Sequence, residues 1–238
     1  MFIVLGRKTI VSICYFCVLI IVVGCLYWTT QVFATNIPAQ TFCVVLDAGH
    51  GGIDGGVQGK TGVYERDINL VITNKVENLL KTLNINVIQT RQTEDGLYGV
   101  FASGFKMRDM KARKAIIEQA NANLVVSVHM NYFSDRSVRG AQVYYKPDNE
   151  VSEQLAEDMQ ELFVNNLQNA RKSCTEGDFY ILTCTDTAGI LVEGGYLSNA
   201  EEEALLLSEE YQDLLAYQIF CGIVHYFDLA ITDSNNKI

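Results

Sequence analysis

Short apolar runs alternate with longer amphipathic segments along most of the chain. The runs predict β-strands, and the amphipathic segments, whose apolar positions recur with a helical period, predict α-helices. The predicted strands cover 41–46, a segment around 87–88, 124–129, 140–145, 179–182 and 190–193. The predicted helices cover 65–83, 107–120, 151–167, 201–207 and 211–227. This alternation predicts one α/β domain, with a doubly wound, mostly parallel sheet and helices on both faces.

An apolar segment precedes this pattern. Arg7 and Lys8 come just before residues 10–28, which are predominantly apolar. A basic start, an apolar stretch and a small-residue ending at Ala34 are typical of a secretory signal, and the stretch is also long enough for a membrane anchor. A lipoprotein-processing site at Cys25 is a third alternative. Each alternative predicts export, with 1–34 as signal peptide or signal-anchor helix, followed by a domain at 41–228 and a tail at 229–238.

The charge of the chain narrows the choice of partners. The sequence has 18 basic and 28 acidic residues, a net charge of −10. Two basic residues and no acidic residue precede position 35, which leaves 16 basic against 28 acidic residues and a net charge of −12. Nucleic-acid binding requires positive charge that neutralises phosphates, so we expect no nucleic-acid partner.

Two sequence features suggest other chemistry and are set aside. Outside the leader there is no CxxC pair, which argues against a cysteine-bound metal, although Cys174 and Cys184 are placed where they could form a disulfide. Residues 54–61 differ from the Walker phosphate-binding pattern by Asp54, which stands at the position of the first glycine. A carboxylate there would repel phosphate, so we predict no nucleotide site.

Two of the three histidines lie at the ends of predicted strands. His50 follows the first strand after three residues, and His129 ends the third. Side chains at the carboxyl ends of parallel strands face the crevice in which such folds bind ligands. Glu65 opens the next helix, and together these three residues form a His/Glu/His set suited to a catalytic zinc ion. His225 lies in the apolar final helix and is interpreted as structural.

Further polar residues could complete such a site. Glu193 ends another apolar run, and an apolar approach would raise the pKa of its carboxyl group, as a general acid or base requires. Asp47 is a candidate for holding an imidazole in the correct tautomer. Asn131 and Asn199 are candidates for orienting substrate amides, although either could instead brace a loop. The charges on helix 107–120, including Arg113, are interpreted as its solvent-exposed side.

Four ordered motifs resemble those of the zinc-dependent N-acetylmuramoyl-L-alanine amidases of type 3. They are VVLDAGHGGIDGG at 44–56, Glu65, SVHMN at 127–131 and VEGGYLSN at 192–199. The resemblance implies one Zn²⁺ per chain, held by His50, Glu65 and His129, with Glu193 as catalytic acid/base. It also implies a catalytic domain at 41–228 that cleaves the amide between N-acetylmuramic acid and L-alanine in peptidoglycan.

Within this family the chain is most similar to the germination-specific, CwlD-type amidases of spore cortex. That similarity implies removal of stem peptides from glycan strands as a step toward muramic-δ-lactam, at the outer face of a cell or forespore membrane. Two alternatives remain open at this stage: a non-catalytic peptidoglycan-binding or scaffold protein, and a hydrolase of another amide. An accessory protein that supports the open, three-ligand metal site is a further hypothesis.

Overall fold

The computed structural model describes residues 6–9, 12, 15–24 and 42–236, and its main feature is a single sheet. Within these residues six strands are found: β1 (Cys43–Ala48), β2 (Asn86–Gln89), β3 (Leu124–Asn131), β4 (Gln142–Tyr145), β5 (Thr175–Glu176) and β6 (Gly189–Tyr196). They are arranged in the order β2-β1-β3-β6-β4-β5. Four neighbouring pairs are parallel, and β4 runs antiparallel to β6. The sheet is therefore mixed.

Helices connect the strands and cover both faces of the sheet. They are α1 (Glu65–Lys81), α2 (Phe105–Ala120), α3 (Glu150–Asn166), α4 (Tyr180–Thr183), α5 (Ala200–Leu206) and α6 (Glu209–Asn236). Most agree with the predicted segments to within two residues, because a long amphipathic segment carries a strong helical period. The predicted α/β class, with helices on both sides of the sheet, is confirmed.

One predicted strand is wrong. Residues 179–182 were expected to be extended, but Tyr180–Thr183 form the short helix α4. Ile181 and Leu182 are buried, so the apolar run does pack into the core. A run of four apolar residues does not distinguish a buried strand from a buried helical turn. The two-residue strand β5 was missed because it is too short and too exposed to produce a pattern.

Alternation along the strands creates two cores. On the first face, Val44, Val126 and Val192 pack against α1, α3 and α6 in a large apolar cluster. On the second face, Val45, Val125 and Leu191 pack in a smaller cluster with residues of α2 and α4. Successive side chains of a strand point to opposite faces, so both clusters come from the same three central strands.

The described residues before position 42 belong to a different compact unit from residues 42–236. Much of the predicted signal or anchor segment at 1–34 lies outside the described residues. None of the described helices has the length and apolar character needed to traverse a bilayer.

Candidate metal centre

The carboxyl ends of the central strands bring two predicted site residues side by side. His129 of β3 pairs with Glu193 of β6 in the parallel register. Two residues earlier along β3, Ser127 pairs with Asp47 of β1. By the two-residue alternation these side chains extend the second face beyond its apolar cluster. The second face therefore changes from apolar to polar as the strands end.

The loop after β1 carries His50 into the same region. His50 has a φ of 62°, in the left-handed region that few residues other than glycine adopt. The loop also passes very close to β3, since a Cβ atom on Gly49 would lie 2.2 Å from the His129 ring. A glycine at 49 is thus required for the two histidine rings to approach, with centroids 5.0 Å apart.

Two buried arginines hold this loop in place. Arg113 donates to the carbonyl oxygens of Ala48 and His50 and forms an ion pair with Asp47 at 2.5 Å. Arg91 donates to the carbonyl oxygens of Ala48 and Gly49. Three consecutive carbonyl groups are therefore occupied by guanidinium donors. Because a guanidinium group presents five donors in a rigid plane, it suits this clamping role.

Glu65, the first residue of α1, lies between the two histidines. Its Oε1 is 2.9 Å from His129 Nδ1, and its Oε2 is 3.2 Å from His50 Nε2. The backbone N–H groups of Val57 and Met130 also donate to this carboxylate. Burial opposes its ionisation, but the two imidazoles outweigh burial and hold the pKa of Glu65 far below its usual range.

The donor set at this point fits a zinc ion. Ligand atoms of His50, Glu65 and His129 lie within 4.8 Å of one another, which offers two ring nitrogens and one carboxylate oxygen. A second carboxylate, Asp54, lies 3.3 Å from His50 Nδ1. Burial of His50 is outweighed by its hydrogen bonds to Asp54 and Glu65, which raise the pKa of His50 to about 9. The carboxylates of Asp54 and Glu65 face this ring, and their negative charge favours binding of a cation here.

Glu193 differs from Glu65 in its surroundings. Its Oε2 atom is buried and has no hydrogen-bond partner within the described residues. Burial, reinforced by the charge of Glu65 and only partly opposed by His50, raises the pKa of Glu193 well above its usual range. The side chain lines a cleft of about 380 Å³ together with His50 and His129. The carboxyl group of Glu193 therefore belongs to the same cleft as the candidate ligands, and one of its oxygens is buried behind the cleft surface without a partner.

Comparison with known proteins assigns the chain to a family. The N-acetylmuramoyl-L-alanine amidase family profile matches residues 44–225, most of the chain. The chain belongs to this amidase family. Its members cleave peptidoglycan, which confirms the predicted enzyme class.

Individual relatives agree with the assignment. The germination-specific N-acetylmuramoyl-L-alanine amidase of Bacillus subtilis is 32% identical over 196 residues, which cover 81% of this chain and 82% of the relative. A structure of the CwlD amidase from Clostridioides difficile in complex with the GerS lipoprotein matches with a TM-score of 0.75 and 35% identity, over 79% of this chain and 100% of that one. The catalytic domain of CwlV from Paenibacillus polymyxa matches with a TM-score of 0.69 and 33% identity, over 79% of this chain and 99% of that one.

The remaining predicted residues of the amidase lie around the centre in supporting positions. Asp47 is buried and accepts hydrogen bonds from Thr90, Ser127 and Arg113. Burial opposes ionisation, but Arg113 and the two hydroxyl groups outweigh it and lower the pKa of Asp47 to about 2. These hydrogen bonds join Asp47 to the arginine that clamps the loop, rather than to an imidazole.

The two predicted asparagines are occupied by local contacts. Asn131 Oδ1 accepts from the N–H of Tyr132 at 2.7 Å. Asn199 caps α5 by accepting from the N–H groups of Glu201 and Glu202, and it donates to the carbonyl of Arg136. These asparagines were expected either to orient substrate amides or to brace a loop. The hydrogen bonds of Asn199 are those of a residue that braces a loop.

The expectation that Arg113 is solvent-exposed is wrong, since the residue is only 1% exposed. Its spacing offered a weak signal, because Asp109, Arg113 and Ile117 recur every four residues and share one helix face. Arg91 was missed as a site residue because nothing in the local pattern connects it to β1. Cys174 and Cys184 are both free, so the disulfide alternative is not realised.

Proposed function

We propose that the chain is a zinc-dependent hydrolase that cleaves the amide between N-acetylmuramic acid and the L-alanine of the peptide stem. His50, Glu65 and His129 would hold the zinc ion, and Glu193 would be the catalytic acid/base. The observation that carries the proposal is the convergence of these three ligands beside a carboxyl group with a buried, unpartnered oxygen. The predicted roles of these residues in the family lead to the same assignment.

The chain's own residues divide the chemistry between them. Zinc, when bound, supplies a Lewis acid that polarises the scissile carbonyl and lowers the pKa of a water molecule. The Glu193 carboxylate accepts a proton from the attacking water and then donates it to the leaving amine of L-alanine. The upward shift moves the pKa of Glu193 out of the usual acidic range, in the direction of neutral pH. A group that both accepts and releases a proton works best when its pKa is close to the ambient pH.

We further propose that the enzyme acts on spore cortex, where it removes stem peptides as a step toward muramic-δ-lactam. The germination-specific relative from Bacillus subtilis and the CwlD structure from Clostridioides difficile support this role. The proposal includes export through residues 1–34, a catalytic domain at 41–228 and a tail at 229–238, of which 229–236 continue helix α6. Because the Clostridioides difficile CwlD structure contains a lipoprotein, GerS, we also propose an accessory protein partner here.

The test combines metal analysis with a digest of purified spore peptidoglycan. We expect about one zinc ion per chain, and products in which muramic acid carries a free lactyl carboxyl group and the stem is released intact. Glu193→Gln should retain zinc and lose at least about 10³-fold in turnover, because it removes the proton acceptor. His129→Ala should lose zinc.

Three outcomes would contradict the proposal in different ways. Unchanged digestion by Glu193→Gln would remove this residue from the mechanism. Binding of glycan strands by the wild-type chain without any trimming would favour the scaffold alternative, in which a metal only stabilises the fold. Cleavage within the stem, rather than at its first amide, would indicate a peptidase.

A further inference from the structure

A second, larger cavity lies at the same edge of the sheet as the metal centre. Its volume is about 940 Å³, and its lining includes Lys60, Arg136, Arg139, Ser198, Asn199 and Glu201. Ser198 and Asn199 are buried and form its polar floor, whereas the three basic side chains are exposed around it. None of these residues lines the cleft that contains Glu193.

Three segments of chain contribute residues to both cavities. The loop after β1 contributes His50 to the cleft and Lys60 to the second cavity. The segment from His129 contributes Arg136, and the segment from Glu193 contributes Ser198. Each segment therefore leaves the metal centre and reaches the second cavity within about ten residues.

Hydrogen bonds connect the segments at this point. The N–H of Leu197 donates to the carbonyl of Asn131 at 3.0 Å, and the N–H of Phe133 donates to Ser198 Oγ at 3.0 Å. Arg136 Nη1 then donates to the carbonyl of Ser198 at 3.2 Å. At a rise of about 3.3 Å per residue, Asn131 is only about 7 Å beyond His129 along the strand. The segments that leave His129 and Glu193 are thus hydrogen-bonded to each other on the way to the basic cavity.

The charge of this cavity is opposite to that of the chain. Three cations line it and Glu201 is the one acidic residue among the lining, although the net charge of the chain is −10. Arg139 pairs with Glu201 at 3.0 Å, but both side chains are more than half exposed, so the pair is solvated and easily exchanged. Arg136 lies over the ring of Tyr132 at 5.5 Å, which leaves its planar donors oriented.

The cleft at the metal centre has a different lining. Its lining includes Lys106, the buried Arg113 and four aromatic residues, Tyr98, Phe105, Phe179 and Tyr180. Aromatic faces suit the apolar surface of a sugar ring, whereas guanidinium and ammonium groups suit carboxylates. A substrate that joins a sugar to an acidic peptide contains both kinds of surface. The two linings therefore match the two sides of the amide that is cleaved.

We propose that Lys60, Arg136 and Arg139 form a subsite for the carboxylates of the peptide stem, with the muramyl sugar on the aromatic side of the cleft. The inference rests on the proposed function, since it names how the same substrate is oriented. With the first amide at the metal centre, the residues after L-alanine extend over this cavity. Their free carboxylates would lose bound water and accept charge-assisted hydrogen bonds from these three cations.

The test uses two soluble muropeptides that differ only in the second stem residue, which carries a carboxylate in one and a carboxamide in the other. Arg136→Gln should raise KM for the carboxylate substrate by about tenfold, as expected for one charge-assisted hydrogen bond, and leave kcat unchanged. For the carboxamide substrate KM should change less than about twofold. Glu201→Gln should act in the opposite direction and lower KM for the carboxylate substrate, because it removes the competing acid.

A control and a binding measurement separate this inference from the proposed function. Lys111→Gln removes an exposed cation of α2 that does not line the cavity, and it should leave both KM values unchanged. Titration of the full-length Glu193→Gln chain with the free stem peptide measures binding without turnover, so an inactive wild-type chain does not prevent the test. Equal effects of Arg136→Gln and Lys111→Gln, or equal binding of the carboxylate and carboxamide peptides, would overturn the inference.

Discussion

The two faces of the sheet use the same strands for different purposes. On the first face, Val126 and Val128 of β3 continue an apolar core to the end of the strand. On the second face, the alternate residues begin with Val125 and then change to Ser127 and His129. The first face is packed throughout, whereas the second is packed only over its first half.

The first face therefore contributes mainly to stability and the second face carries the candidate chemistry, although both belong to the same strands. The first face buries large side chains of α1, α3 and α6, which supply most of the apolar burial. The second face buries ions instead, among them Asp47 and Arg113, next to the candidate ligands. Removing an apolar side chain from the first face should therefore reduce stability alone, and removing an ion from the second should affect the site as well.

Phe163→Ala should disrupt the packing of the first face and should reduce stability more than the other substitutions in this series. Phe163 of α3 is fully buried, and loss of a buried phenyl ring costs about 4 kcal/mol through lost transfer free energy and the cavity left behind. Chemical denaturation measures the free energy of unfolding, while activity per folded molecule should remain unchanged. Val164→Ala is the matched control, because Val164 is 46% exposed and should change stability little. Similar losses for both variants would contradict the packed first face.

Arg113→Gln should remove the buried ion pair of the second face and also disturb the candidate metal centre. It leaves Asp47 buried without its cation, which costs about 3 kcal/mol, and it releases the carbonyl groups of Ala48 and His50. Zinc affinity should fall together with stability, because the loop that carries His50 loses one of its two arginine clamps. Zinc titration of the folded variant tests this, and Lys111→Gln on the exposed side of α2 is the control. Unaltered zinc affinity would show that Arg91 is sufficient.

Acid should weaken the second face in part through Asp47. Its folded pKa of about 2 lies below the ordinary value of about 4, so the folded state binds fewer protons between these pH values. The resulting stabilisation, about 2 kcal/mol, is complete above pH ~4 and is lost as the pH falls toward 2. Unfolding free energies of the wild type and Asp47→Asn, measured from pH 6 to pH 2, should converge over this range. Parallel curves would exclude Asp47 as the titrating group.

Asn199→Ala should have the smallest effect of this series. It removes the cap of α5, which costs about 1 kcal/mol, and the hydrogen bond to the carbonyl of Arg136. Asn199→Ser should recover the cap but not that hydrogen bond, so it separates the two roles. Thermal unfolding measures the cap, and KM measures the position of Arg136. A loss of turnover at unchanged stability would indicate that Asn199 contacts substrate.

The sequence predicts which side chains lie at the ends of the strands, but it does not predict which side chains surround them. The positions of His129 and Glu193 follow from local alternation, since each ends an apolar run on a parallel strand. The burial of Arg113 does not follow, because its partner Asp47 is 66 residues away and on another element. Helix α4 was also unpredictable, because four apolar residues have no distinguishable period.

By itself, the sequence determined the class of fold, the family and the candidate ligands, because apolar period and ordered motifs are local properties of the chain. The tertiary structure decided which side chains share a surface. It brought residues 50, 65 and 129 within ligand distance of one another and placed Glu193 in the same cleft as the two histidines. It also placed Arg113 inside the protein. Such contacts depend on strand register and chain crossing, which join positions far apart in sequence.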